Sequence, residues 1–86
     1  MKPGDLVEIT PHSFWYKTDD LIKWAEHHTP PCPVALCVEG RSPGLLLRYI
    51  GKGRSAIQSS EHYWEVLVEE NIYDVAEKNI VPLSQP

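Results

Sequence analysis

Four residues with metal-binding side chains lie close together in the sequence: His27, His28, Cys32 and Cys37. Structural zinc sites use four such ligands, usually with closely spaced cysteine pairs. The spacing here, interrupted by prolines, only approximates that arrangement, and adjacent histidines on a helix point in different directions. We therefore expect no metal at this cluster, and we expect Cys32 and Cys37 to be buried or half-buried thiols of a cytosolic protein.

Catalytic and phosphate-binding motifs have no good match in the sequence. The segment GKGRS at positions 51–55 suggests a phosphate loop, but Gly44 lies too far upstream and Lys52 is followed by glycine in place of serine or threonine. Serine-hydrolase, zinc-protease and dinucleotide fingerprints do not occur either. The sequence therefore predicts a protein that is not an enzyme and that holds no cofactor.

Three consecutive aromatic residues, Phe14, Trp15 and Tyr16, form the most unusual segment. Neighbouring residues in an extended segment point to opposite sides, so the three cannot all enter one core. Either they pack under a nearby helix, or at least one is exposed and marks a partner-binding site. If the segment is extended, we expect Trp15 to be the exposed member while its two neighbours pack on the sheet.

Basic residues are concentrated in the middle of a chain whose net charge is −4. The stretch from position 41 to position 60 contains no acid and four cations. A possible polyanion contact would use these four, which are Arg41, Arg48, Lys52 and Arg54. The overall negative charge nevertheless disfavours general nucleic-acid binding.

The elements that must position these residues are short. Apolar residues predict a first strand at 6–9 and a longer one, bounded by glycines, at 44–51, and residues 34–38 fit a short strand. Capping side chains at 18–20 precede an amphipathic helix at 21–28, which ends at a proline pair. With 86 residues, the whole chain, 1–86, is expected to be a single small domain.

In the segment YWEVLVEENIYDVAEKNIVPL, positions 63–83, the first part, 63–76, alternates β-branched and aromatic residues with acids at period two and so predicts a β-hairpin. A turn at Glu70 and Asn71 gives one buried face and one mixed face. The apolar face would be formed by Val66, Val68, Tyr73 and Val75.

The series of segments resembles the SH3-like small β-barrel. The strands that carry the likeness are GDLVEI, GLLLRYIG, YWEVLVE and NIYDVA, followed by EKNIVPL as a 3₁₀ turn and a final strand. The resemblance implies an all-β barrel of about five strands, in which residues 11–43 form an insertion that holds the helix. The resemblance does not imply polyproline binding, because Ile80 stands where peptide-binding SH3 domains carry a tyrosine. The start MKPGDLV is also similar to small proteins encoded by bacteriophages.

From this resemblance we expect a non-enzymatic protein-interaction module, a small phage structural or accessory protein that docks on a larger assembly through the aromatic triplet. The alternative is a nucleic-acid-associated SH3-like or KOW-like barrel of a transcription or translation complex. A third class, a cage for a cationic ligand, would require several of the aromatic residues Trp15, Tyr16, Tyr49, Trp64 and Tyr73 to converge. The sequence has neither an apolar segment of membrane-spanning length nor a signal-peptide core, so we expect a location in the host cytoplasm or the virion and no membrane partner.

Overall fold

The computed structural model describes residues 1–27, 34–52 and 61–83. The elements in chain order are β1 (Leu6–Ile9), β2 (Ser13–Lys17), α1 (Thr18–His27), β3 (Leu36–Val38), β4 (Ser42–Gly51), β5 (Tyr63–Val68), β6 (Asn71–Ala76), a 3₁₀ turn (Glu77–Asn79) and β7 (Ile80–Pro82). The predicted first strand, the 44–51 strand, the 3₁₀ turn and the final strand are thus confirmed.

Across these described segments, seven antiparallel strands form one open sheet in the order β3-β2-β6-β5-β4-β1-β7. The mainly-β class is confirmed. The strands β3 and β7 lie at the two edges of the sheet. The segment between β1 and β4 does more than hold a helix: its strand β2 pairs with β6, and its strand β3 pairs with β2.

The core lies on one face of this sheet. It combines aliphatic side chains from five strands with two tryptophans, and its buried members are Val7, Ile9, Trp15, Leu46, Trp64, Val66, Val68, Val75 and Ile80. Gly44 lets β4 approach β5 closely, because a Cβ at this position would lie 2.6 Å from Cγ1 of Val66. The outward positions of the same strands form the second face, part of which α1 covers.

The β5–β6 hairpin has the predicted buried face but a different register. Val66 and Val75 are fully buried, and Tyr73 packs against them. The turn lies at Glu69 and Glu70 instead of one residue later, so Val66 pairs with Tyr73. The face survives because the pairing shifts by two residues and side chains alternate with period two. Glu69 adopts a positive φ of 58°, a conformation that local composition did not indicate.

The helix α1 begins at Thr18, three residues before the predicted start, and packs on β2 and β6. Its Leu21 is fully buried. The Thr18 hydroxyl reaches beyond the helix: Oγ1 donates a hydrogen bond to Oδ1 of Asp74 on β6, at 2.6 Å. This buried contact fixes the beginning of the helix to the second face of the sheet.

Candidate interaction groove

The aromatic triplet forms most of β2, and its side chains alternate between the two faces of the sheet. Trp15 points into the core and is 3% exposed, whereas Phe14 on the second face is 57% exposed. Tyr16 is half-buried on the side of Phe14. The expectation that Trp15 is the exposed member is therefore wrong. The alternation itself was predicted, but the triplet has the opposite orientation because β2 pairs with β6, where Val75 lies opposite Trp15 in the core.

A chain of polar contacts holds β2 in this orientation. Nε1 of Trp15 donates to Oγ of Ser13 at 2.8 Å, and the Ser13 hydroxyl donates to the Thr10 carbonyl at 2.9 Å. The Trp15 ring also packs edge-on against Tyr73, with centroids 5.1 Å apart. Both buried polar groups have partners, so the orientation carries no desolvation penalty from an unpaired group. Phe14 is thereby held outward by its neighbours.

Beside Phe14 lies a groove of about 280 Å³ on the second face. Its walls come from β2, β5 and β6, from the 3₁₀ turn, and from residues just before β3 and β5. The lining residues are Phe14, Tyr16, Ala35, Glu61, Tyr63, Ala76, Lys78 and Asn79. Of the predicted site residues, the structure brings Phe14 and Tyr16 together here, and it places Trp15 on the other face.

An ion pair crosses the polar side of the groove. Nζ of Lys78 lies 3.0 Å from Oε1 of Glu61, and both side chains are accessible to solvent. Such exposed pairs contribute little to stability, about 0–1 kcal/mol. A partner can therefore replace one member of the pair as the hydrogen-bonding group of the other, with little loss of free energy. Apart from Asn79, the other lining residues are aromatic residues and alanines.

Tyr63 supplies the buried side of the groove. Burial raises the pKa of its hydroxyl above the ordinary value of 10.0, and the nearby Tyr16, Glu61 and Asp74 raise this pKa further. The hydroxyl is consequently neutral at physiological pH and acts as a hydrogen-bond donor or acceptor, not as a nucleophile. A groove with a neutral phenol, a single exposed ion pair and small apolar residues is suited to binding a side chain.

The cations proposed for polyanion binding do not form one patch. Arg41 pairs with Glu8 at 3.5 Å, and Arg48 pairs with Glu65 at 3.0 Å. Arg41 and Lys52 flank opposite ends of β4, whose ten residues span roughly 30 Å. Arg54 lies outside the described residues.

The five aromatics considered for a cage do not converge on one point. Trp15 contacts Tyr73, while Trp64 contacts Tyr49, with centroids 5.2 Å apart. Both tryptophans are buried, so their ring faces are not open to a ligand. Tyr16 lies on the opposite face of the sheet. Nε1 of Trp64 additionally donates to Glu77 at 2.8 Å, which fixes this ring against the 3₁₀ turn.

The cysteine and histidine cluster falls largely outside the described part of the chain. His28 and Cys32 are not described, nor is the side chain of His27. Cys37 is a free thiol exposed on β3, so the expectation that it is buried is wrong. In residues 1–27, 34–52 and 61–83, no group of three or more potential metal ligands occurs.

Six lining residues were not indicated as site residues by the sequence: Ala35, Glu61, Tyr63, Ala76, Lys78 and Asn79. The strand register brings Tyr63 of β5 and Ala76 of β6 together, since the two residues pair directly, and Ala35 lies just before β3. For Tyr63 and Ala76 the sequence did carry a signal, the alternation of side chains along a strand, because this alternation places both residues on the predicted mixed face of the hairpin. No signal in the sequence placed β2 beside that face.

Comparison with known proteins gives no match: no family model, no curated protein and no solved structure corresponds to this chain. Within the described ranges, the single helix is too short and too polar to cross a membrane.

Proposed function

We propose that this chain is a non-enzymatic protein-interaction module that receives a side chain of a partner protein in the Phe14 groove. The observation that carries the proposal is the exposure of Phe14 beside a preformed groove. Exposed aromatic residues next to pockets are typical anchors of protein interfaces. The burial of Trp15 holds the backbone at Phe14 in place, so binding has to order only the Phe14 side chain.

The size of the groove suits a side chain of a partner protein. Pockets for small molecules and cofactors usually measure about 300–1,000 Å³. At about 280 Å³, this groove is at the lower limit of that range and is large enough for one or two side chains. We therefore infer a partner segment that inserts an apolar or aromatic residue between Phe14 and Tyr63. A neighbouring polar group of the partner would interact with Lys78 or Glu61.

The proposed setting is a small phage-encoded structural or accessory protein with an SH3-like barrel, present in the host cytoplasm or the virion. Its support is the order of β1, β4, β5 and β6, followed by the 3₁₀ turn and β7, together with the first-strand sequence. The nucleic-acid alternative has weaker support, since Arg41 and Arg48 both lie in ion pairs with acids.

A selection experiment tests the proposed groove. A library of random displayed peptides is selected on the wild-type chain and depleted on Phe14→Ala. We expect the retained peptides to share an apolar or aromatic anchor and to shift the amide resonances of Tyr16, Tyr63 and Ala76. Val81→Ala, which changes an exposed residue on the far edge strand, should bind these peptides normally. Equal enrichment on wild type and Phe14→Ala would contradict the proposal.

A second assay separates the two classes of partner. Labelled single-stranded and double-stranded DNA is titrated with the chain at low and moderate salt. Binding that weakens steeply with salt would support the nucleic-acid alternative, because phosphate contacts release counterions. Peptide binding at the groove should change little over the same salt range, since its main contacts are apolar.

A further inference from the structure

The second face carries another feature, well away from the groove. Four aliphatic residues lie at the same level on four adjacent strands: Leu6 pairs with Leu45, Leu45 with Leu67, and Leu67 with Ile72. Leu83 extends the row at the β7 end, where its N–H donates to the Leu6 carbonyl at 3.0 Å. We call these five residues the aliphatic stripe. Directly paired residues have Cβ atoms about 5 Å apart, so the stripe is continuous and roughly 19 Å long.

The stripe is unusual because it lies on the face opposite the core. Outward positions of an antiparallel sheet are normally polar. Leu6, Leu83 and Ile72 are nevertheless 60%, 53% and 42% exposed. Contacts with cross-strand neighbours explain why Leu45 and Leu67 are half-buried. They do not explain why aliphatic residues occupy the exposed ends of the stripe. Single exposed leucines are ordinary, whereas a contiguous apolar row marks an interaction site.

The charges beside the stripe indicate what covers it. On the same face, two positions from the stripe along β1 and β5, lie Glu8 and Glu65, and the exposed Glu69 and Glu70 form the hairpin turn between Leu67 and Ile72. Of these four acids, Glu8 forms an ion pair with Arg41 and Glu65 forms one with Arg48. The excess negative charge is therefore at the hairpin end, where Glu69 and Glu70 are exposed.

We propose that the aliphatic stripe docks a basic amphipathic helix of a partner protein, with its apolar face on the leucines and its cations at the Glu69–Glu70 turn. A stripe of this length matches about 13 residues of helix at 1.5 Å per residue. A second copy of this chain fits less well, because it would bring another net charge of −4 against an acidic rim. An anionic membrane surface is disfavoured by the same repulsion. This surface lies outside the groove, so the chain would bind two partners.

The test uses a designed peptide as the probe. An amphipathic peptide of about 18 residues, leucine on one face and lysine on the other, is long enough to cover the stripe as a helix. A control peptide carries glutamate in place of lysine. We expect the lysine peptide to shift the amides of Leu6, Leu45, Leu67 and Ile72, and to bind more weakly as salt rises. The glutamate peptide should bind at least about tenfold more weakly.

Variants of the chain complete the test. The double variant Leu6→Ser, Ile72→Ser should weaken the lysine peptide at least about tenfold, as loss of apolar anchors does at interfaces. Val34→Ser, an exposed aliphatic residue off the stripe, should leave binding unchanged. If the double variant fails to fold, Glu70→Lys at the exposed turn serves instead: it should weaken the lysine peptide and strengthen the glutamate peptide.

Three outcomes would overturn the proposal. The first is equal binding of both peptides. The second is binding whose shifts map to the Phe14 groove and not to the stripe. The third is a wild-type dimer in sedimentation that becomes monomeric in the Leu6→Ser, Ile72→Ser variant, since a second copy would then be the occupant. The Phe14→Ala selection uses other peptides and another variant, so either proposal can fail while the other stands.

Discussion

Replacing Trp15 with alanine should nearly unfold the protein, because this side chain joins β2 to the core. Truncating a buried tryptophan costs about 3–5 kcal/mol of unfolding free energy. Loss of its hydrogen bond to Ser13 adds roughly 1 kcal/mol. At roughly 0.05–0.15 kcal/mol per residue, an 86-residue domain has a stability of about 4–13 kcal/mol. The substitution therefore removes a large share of the total.

The assay is thermal unfolding followed by circular dichroism, with Phe14→Ala as the matched control. In a domain of this size each kcal/mol lowers the melting temperature by about 4–8 °C, so Trp15→Ala should lower it by about 15 °C or more. Phe14 is exposed, and its truncation should change stability by no more than about 0.5 kcal/mol. If the control were the more destabilised of the two, or if both lost the same stability, the orientation of β2 would be incorrect.

Three further predictions concern the core and the groove. Val66→Asp should unfold the domain because it buries an unpaired carboxylate, while Leu67→Asp on the other face should cost far less; equal losses in a thermal melt would contradict the hairpin faces. Gly44→Ala should cost about 1–3 kcal/mol in urea unfolding, since the new Cβ would lie 2.6 Å from Cγ1 of Val66, and an unchanged midpoint would show that β4 and β5 do not approach so closely. Because the pKa of Tyr63 is raised in the fold, its ionisation favours the unfolded chain, so stability should fall as pH rises above about 10. In Tyr63→Phe this alkaline loss should be smaller, and identical pH profiles would refute the assignment.

The sequence predicted elements and faces better than it predicted neighbours. Period-two alternation placed Val66 and Val75 on a buried face, and the structure confirms this because parity is a local property of a strand. The turn position was wrong by one residue, since Glu69 adopts a positive φ without the glycine or asparagine that usually signals one. Moving the turn by one residue shifts the strand pairing by two residues. Each side chain therefore stays on its predicted face, but its cross-strand partner changes.

The orientation of the aromatic triplet could not be predicted from local sequence. Extended geometry required Trp15 to oppose its two neighbours, and this was foreseen. Which side faced the core depended on the pairing of β2 with β6, a contact between residues about 60 positions apart in the chain. The groove depends on the same contact, because Phe14 meets Ala76 only after the two strands have paired. The stripe likewise required the register of four strand pairs.

We propose that Phe14 binds a partner while Trp15 holds the fold, and a paired measurement on Phe14→Ala separates the two roles. The melting temperature and the affinity for a peptide selected on the wild-type chain alone, without depletion on Phe14→Ala, are determined on the same preparation. We predict a melting temperature within a few degrees of wild type and a loss of binding of about 2 kcal/mol, or roughly 30-fold. A variant that keeps full affinity, or one that loses stability in proportion to affinity, would contradict the account.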